Sequence, residues 1–122
     1  MPIPDFQSIM LPLLQQVADG AVHQNRQVAA SLAQEFNLRD EEITQLLPSG
    51  QQRVFTNRVA WAKAHLKRAG LLESPSRGTV QISDLGRSVL AERPADIDLR
   101  FLKRFPSYDW HQSVTTAEHE IV

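Results

Sequence analysis

The sequence predicts a mainly α domain carrying one small antiparallel β-hairpin. Three observations point there. Apolar residues recur at helical spacing through most of the first 70 positions. The spacing becomes extended immediately after Gly70. A Pro75-Ser76-Arg77-Gly78 turn then separates two short extended runs. A chain of 122 residues suits one domain with one core.

The first helix is expected over 5–18. Phe6, Ile9, Met10, Leu13, Leu14 and Val17 form one stripe, Pro12 introduces a kink or a late start, and Asp19-Gly20 ends the segment. A second stripe over 24–36 comprises Val28, Ala29, Leu32, Ala33 and Phe36. A short helix is expected over 41–47, with Asp40 as N-cap, Glu41 and Glu42 at the positive helix start, and Pro48 as the stop. Its inward side would be Ile43, Leu46 and Leu47.

Ser49-Gly50-Gln51-Gln52 has the capping-box pattern, so a long helix is expected from there to Ala69, closed by Gly70 in the left-handed conformation. Phe55, Val59, Ala62, Leu66 and Ala69 are its inward stripe, widened by Val54 and Trp61. Gln52, Arg53, Thr56, Asn57, Lys63 and Lys67 lie largely on the opposite side. Leu71–Ser74 and Thr79–Ser83 form the hairpin, and Ser83-Asp84 caps a last helix that turns Leu85, Val89 and Leu90 inward. A long basic helix followed at once by a hairpin with an arginine at its tip is the winged helix-turn-helix arrangement, in which helix and wing touch one duplex. The expected division is a domain over 1–93 and a C-terminal extension over 94–122. In the extension, Ile97, Leu99, Phe101, Leu102 and Phe105 suit a short amphipathic turn, and the chain from Ser107 onward is polar and unpatterned.

Charge is polarised along the chain. The net charge is −1. Residues 1–50 hold two bases and six acids. Residues 51–77 hold Arg53, Arg58, Lys63, Lys67, Arg68 and Arg77 against Glu73 alone. One basic segment on an otherwise acidic chain fits a single DNA-facing surface, and it also fits a solvated helix face. With no cysteine, disulfide and thiolate chemistry are excluded. No apolar run approaches the roughly 20 residues of a membrane span, and no basic-then-apolar leader opens the chain, so no membrane partner and a cytoplasmic location are expected. His23, His65, His111 and His119 are scattered without metal-ligand spacing. No nucleophile–base arrangement or glycine-rich phosphate loop is evident, so neither a catalytic site nor a cofactor is expected.

Ser49-Gly50-Gln51, Val54-Phe55, Asn57-Arg58, Trp61-Ala62, Leu66, Lys67-Arg68-Ala69-Gly70-Leu71 and Ser76-Arg77-Gly78 occur in the order and spacing of a known family. The chain resembles the N-terminal domain of the Mrr restriction endonucleases over roughly residues 4–91, a span that takes in Met10-Leu11-Pro12-Leu13-Leu14 and Gly86. The resemblance implies a DNA-binding winged helix belonging to a modification-dependent, type IV-like restriction enzyme, with double-stranded and methylated DNA as partner. It also implies a nuclease domain of the PD-(D/E)XK type after it, toward which 94–122 would lead. No Glu or Gln here has a Lys two positions later, so that half of the nuclease motif is missing from this sequence.

Within this frame Gln51, Gln52 and Arg53 open the long helix, the end that reaches base edges in helix-turn-helix proteins. Gln pairs with adenine and Arg with guanine, whereas Gln52 also suits plain helix capping. Asn57 is a poor mid-helix residue, which suggests a contact to base or phosphate. Arg58 is expected either on DNA or paired with Glu41 or Glu42. Lys63, Lys67 and Arg68 suit phosphates or solvent, Trp61 suits the core, and Arg77 suits phosphate or the minor groove. The competing functions are a homo-oligomerising interaction module and a standalone transcriptional regulator.

Overall fold

The computed structural model describes residues 3–105 and 108. Its elements are α1 (Phe6–Gln16), β1 (His23–Gln24), α2 (Asn25–Glu35), α3 (Asp40–Thr44), α4 (Val54–Arg68), β2 (Leu72–Glu73), β3 (Thr79–Ile82), α5 (Asp84–Ala91) and α6 (Leu99–Leu102). The fold is mainly α with a small three-stranded antiparallel sheet ordered β1-β3-β2. Helix, strand, helix, short helix, long helix and hairpin, with β1 added to the hairpin, make it winged-helix-like.

α1 is the centre of the core. Its Asp5 cap accepts the Ser8 N–H at 2.7 Å, and the helix runs through Pro12. Ile9, Met10, Leu13 and Leu14, with Val17 just beyond, are buried as the stripe predicts. α4 packs chiefly on α1 and supplies Phe55, Val59, Ala62 and Leu66. Burial of side chains of this size contributes roughly 1.5–3 kcal/mol each, so this pair dominates the stability. Ile97 and Leu102 from the C-terminal segment join the same core, as do Phe105 and Tyr108. The amphipathic turn expected there is α6, which packs on α4. The polar tail expected from Ser107 falls, apart from Tyr108, outside the described residues.

Helix ends follow the local chemistry with two corrections. Asn37 takes φ +55 after α2, and the Leu38 N–H donates back to the Ala33 carbonyl at 3.0 Å. Gly70 takes φ +86 after α4, and the Leu71 N–H reaches the Leu66 carbonyl at 3.0 Å. Asp40, however, is the first residue of α3 and not its cap; Arg39 holds that place, and its N–H is accepted by Glu42 Oε1 at 2.9 Å. Ser49 likewise does not cap α4, which starts at Val54 with Arg53 as its N-cap. The Leu47 N–H donates to the Gln52 carbonyl and the Val54 N–H to the Gln45 carbonyl, both at 2.8 Å, with Leu46 and Arg53 bridged between them. These bonds fold 45–54 into a narrow antiparallel loop that uses the backbone groups a longer helix would need. Leu46 points out, 53% exposed, because it stands on that loop and not on a helix face.

The hairpin has the predicted strands, in register Leu72↔Ile82 and Glu73↔Gln81. β1 pairs on the other side of β3 through His23↔Val80 and Gln24↔Thr79. Ser83 joins three elements. Its hydroxyl accepts the Gly86 N–H at 3.0 Å as the cap of α5 and donates to the Gly70 carbonyl, and its N–H donates to the Leu71 carbonyl. α5 buries Val89 and half-buries Leu90, but Leu85 is 40% exposed, against expectation. Gly86 is buried instead: it faces the Leu71 carbonyl and the Ile82 side chain so closely that a Cβ would collide with both. Gly86→Ala should therefore destabilise the fold by about 1–3 kcal/mol. A chemical-denaturation midpoint equal to that of the unaltered chain would show that α5 can move away.

Candidate nucleic-acid interface

α4 shows little of itself to solvent. Burial against α1 leaves Thr56 and Lys67 as its exposed residues, with Asn57, Arg58, Ala60, Trp61, Lys63, Ala64 and Arg68 half-buried. On one flank Trp61 and His65 stack at 5.5 Å, His65 stacks on Phe6 at 5.2 Å, and His65 Nδ1 lies 3.0 Å from the Tyr108 hydroxyl. Trp61 is thus part of a ring cluster at the edge of the core. His65 is itself buried, which the charge pattern did not suggest.

The structure sorts the sequence-selected residues into three places. Gln51, Gln52, Arg53 and Asn57 gather at the start of α4. Gln51 and Arg53 are exposed, and Asn57 Nδ2 donates to Gln52 Oε1 at 3.0 Å. That bond holds two amides together beside the exposed cation. The Gln51 N–H donates to Ser49 Oγ at 3.3 Å, in the loop and not within a helix.

Arg58 goes elsewhere. Its Nη1 donates to the carbonyls of Ile3 and Pro4 at 2.8 and 3.2 Å, clasping the N-terminal segment to α4. Glu41 and Glu42 are not its partners in those bonds. A planar guanidinium with two donors satisfies two consecutive carbonyls that no helix or strand covers.

Lys63 and Lys67 belong to a third place, a groove of about 480 Å³ between α2 and α4. Leu13, Val28, Val59 and Val80 form its floor, Ala29, Ala60 and Ala64 its walls, and Arg26, Lys63 and Lys67 its rim. Lys63 Nζ donates to Asn25 Oδ1 at 3.3 Å. Partial burial, and next the neighbouring Lys67 charge, hold the Lys63 ammonium below the usual lysine range. The Asn25 N–H donates to the Gly78 carbonyl at 2.9 Å, so the start of α2 is tied to the wing. At the wing tip Thr79 Oγ1 accepts the Ser76 N–H and donates to the Ser76 carbonyl. Gly78 takes φ +78, and Arg77 is left exposed on this closed turn.

Arg26, Lys63 and Lys67 thus share one groove, and Arg53 is exposed at the opposite end of α4. Arg53 and Lys67 are about 20 Å apart along the helix axis. Asn25 and Arg26 were missed because helical periodicity marks them only as outward-facing. Their position in the groove comes from the β1–β3 pairing, which two residues of strand do not announce. Among the described residues no group of histidines and acids could hold a metal ion, and no helix is long and apolar enough to cross a membrane.

A winged-helix-like domain with a cation-lined groove is the class that the geometry defines. The chain belongs to the Mrr N-terminal domain family, whose model matches residues 6–92. It is 34% identical over 97 residues to the type IV methyl-directed restriction enzyme EcoKMrr of Escherichia coli strain K12, covering 77% of this chain. The chain spans 31% of the length of that relative. No solved structure matches it.

Because Lys63 is costly to keep charged in the fold, Lys63→Gln should leave the melting temperature unchanged or raise it at neutral pH. The sign follows from the lowered value: the charged form is less favourable folded than unfolded, so the cost is fully present below the folded value and fades as pH rises through the window up to the unfolded one. A marked loss of thermal stability in the variant would mean that the Asn25 bond matters more than the burial. Arg58→Met, by contrast, should lower stability by about 1–3 kcal/mol by releasing two carbonyls from a charged donor. Denaturant titration would detect this, and an unchanged midpoint would remove the clasp from the account of stability.

Proposed function

We propose that this domain binds double-stranded DNA as the targeting module of an Mrr-type, methyl-directed restriction system, and that it does no chemistry of its own. One observation carries the reading: Arg26, Lys63 and Lys67, from two helices, line one groove, and Arg53 at the start of α4 and Arg77 at the hairpin tip are both exposed. Cations spread over three elements that are distant in sequence are costly to assemble through mutual repulsion, and a polyanion offsets that cost. The family membership and the relative's description as a methyl-directed restriction enzyme support DNA as the polyanion, with methylation as the property read. Cleavage would then be supplied by a nuclease domain of the full protein.

In this reading the Gln51, Gln52, Arg53 and Asn57 cluster meets base edges, because the start of a helix is the part that enters the major groove. Lys63, Lys67 and Arg77 meet phosphates. Arg58, engaged with the N-terminal carbonyls, contributes by fixing the helix and not by contact.

Binding by the isolated chain should be weak, with dissociation constants of roughly 10⁻⁴–10⁻⁶ M on unselected duplex, and it should fall steeply with salt. Five cations set the upper limit, a slope of about −4 to −5 in log affinity against log salt. Fluorescence anisotropy at several salt concentrations measures it, and salt-independent binding or none at low ionic strength would count against a DNA surface. Arg77→Ala should weaken all sequences alike and reduce the slope by roughly one. Arg53→Ala and Asn57→Ala should instead change the ranking among sequences, by about 1–3 kcal/mol where a bidentate base contact is lost. The reverse pattern would exchange the roles of wing and helix.

A further inference from the structure

The groove between α2 and α4 has features that phosphate binding alone does not explain. Three cations on a flat surface would be sufficient to hold a backbone. Here they surround a concavity whose floor, including Leu13 and Val80, belongs to the hydrophobic core. Its volume of about 480 Å³ falls within the roughly 300–1,000 Å³ of small-molecule sites. Ala29 on α2 and Ala60 and Ala64 on α4 line it, three positions where a larger aliphatic side chain would take up the room. None of its lining residues is acidic, so a cationic occupant is disfavoured and an anion with an apolar body fits. The polar groups beside the apolar surface, Asn25 and Thr56, can hydrogen-bond to a planar polar edge.

We infer that this groove receives a single methylated nucleotide turned out of the bound duplex, its base against Ala29, Ala60 and Val80 and its flanking phosphates on Arg26, Lys63 and Lys67. The inference rests on the DNA-binding reading above and deepens it. The edge of a stacked base pair is broad and flat and cannot descend to a floor at core depth, whereas an extruded base can. The hairpin and the start of α2 are joined through Asn25 and Gly78, so a wing seated on the duplex brings the groove up to the strand beside it. The walls offer methyl groups and no buried polar atom that a methyl would displace. Burying one methyl there should favour the methylated base by roughly fourfold in affinity.

The test uses the full 122-residue chain and duplexes carrying one 5-methylcytosine, one N6-methyladenine or neither, each with 2-aminopurine beside the target base. Extrusion unstacks the neighbour and raises 2-aminopurine fluorescence. The expected result is a rise on at least one methylated duplex, together with roughly fourfold tighter binding than to its unmethylated partner. Ala60→Leu, which fills the groove and leaves every cation, should abolish both the rise and the preference while keeping affinity for unmethylated DNA. Ala29→Leu, from the opposite wall, serves the same purpose if the first variant does not fold by circular dichroism. Binding with no fluorescence change would overturn the groove inference and leave DNA binding standing. Retention of rise and preference by the folded filled variants would also overturn it. Absence of binding to any duplex at low salt would overturn both readings. If the unaltered chain instead self-associates and Ala60→Leu abolishes that, the groove is an interface between copies and the inference falls.

Discussion

Burial of α4 against α1 is the constraint on which the rest of the structure depends. α4 gives Phe55, Val59, Ala62 and Leu66 to the core, and α1 answers with Ile9, Met10, Leu13 and Leu14. A helix so committed has a narrow face left. What it leaves open to solvent is Thr56 and Lys67, with half-buried residues such as Asn57, Ala60 and Lys63 between and beside them, plus the loop residues at its start. Any wider surface must be borrowed from neighbours. α2 and the β2–β3 hairpin supply it, drawn together by the pairing of β1 with β3 and by the Asn25–Gly78 bond.

The two ends of α4 are fixed by different means. At the C-terminal end, Gly70, Ser83 and Gly86 lock helix, hairpin and α5 into one joint through backbone hydrogen bonds and a contact too close for a side chain. At the N-terminal end, the cross-bonded loop over 45–54 and the Arg58 clasp on Ile3 and Pro4 do the same work with polar groups. A helix held at both ends has little conformational freedom left to lose, which would favour affinity for any partner it met. Lys63 runs the other way. Its ammonium is partly buried beside another cation, so the fold keeps a charge where stability alone would prefer none. Such local conflicts are expected at functional surfaces.

Much of the fold was legible because it is local. The stripes of α1, α2 and α4, the Gly70 stop, the hairpin and the Ser83 cap each follow from periodicity or turn chemistry over a few residues. The errors are also local signals, outvoted by longer-range bonds. Ser49-Gly50-Gln51-Gln52 has the letters of a capping box, but the pairing of 45–47 with 52–54 turns it into a loop tip with Gly50 at φ +76. Leu46 and Leu85 have the right spacing to be buried, yet they stand 53% and 40% exposed, one on a loop and the other on the rim of α5.

The same division holds for the candidate site. The sequence by itself determined a mainly α chain, its one basic segment, and the helix and wing that carry it, because these are properties of residues close together along the chain. Only the tertiary structure decided which of those cations share a surface. It withdrew Arg58 into a structural bond, paired Asn57 with Gln52, and brought Arg26 across from α2 to Lys63 and Lys67. The reason is physical: a groove is made where two helices fail to touch, and that depends on small residues, Ala29 on one and Ala60 and Ala64 on the other, lining the same gap from more than 30 positions apart in sequence. No local pattern records that gap.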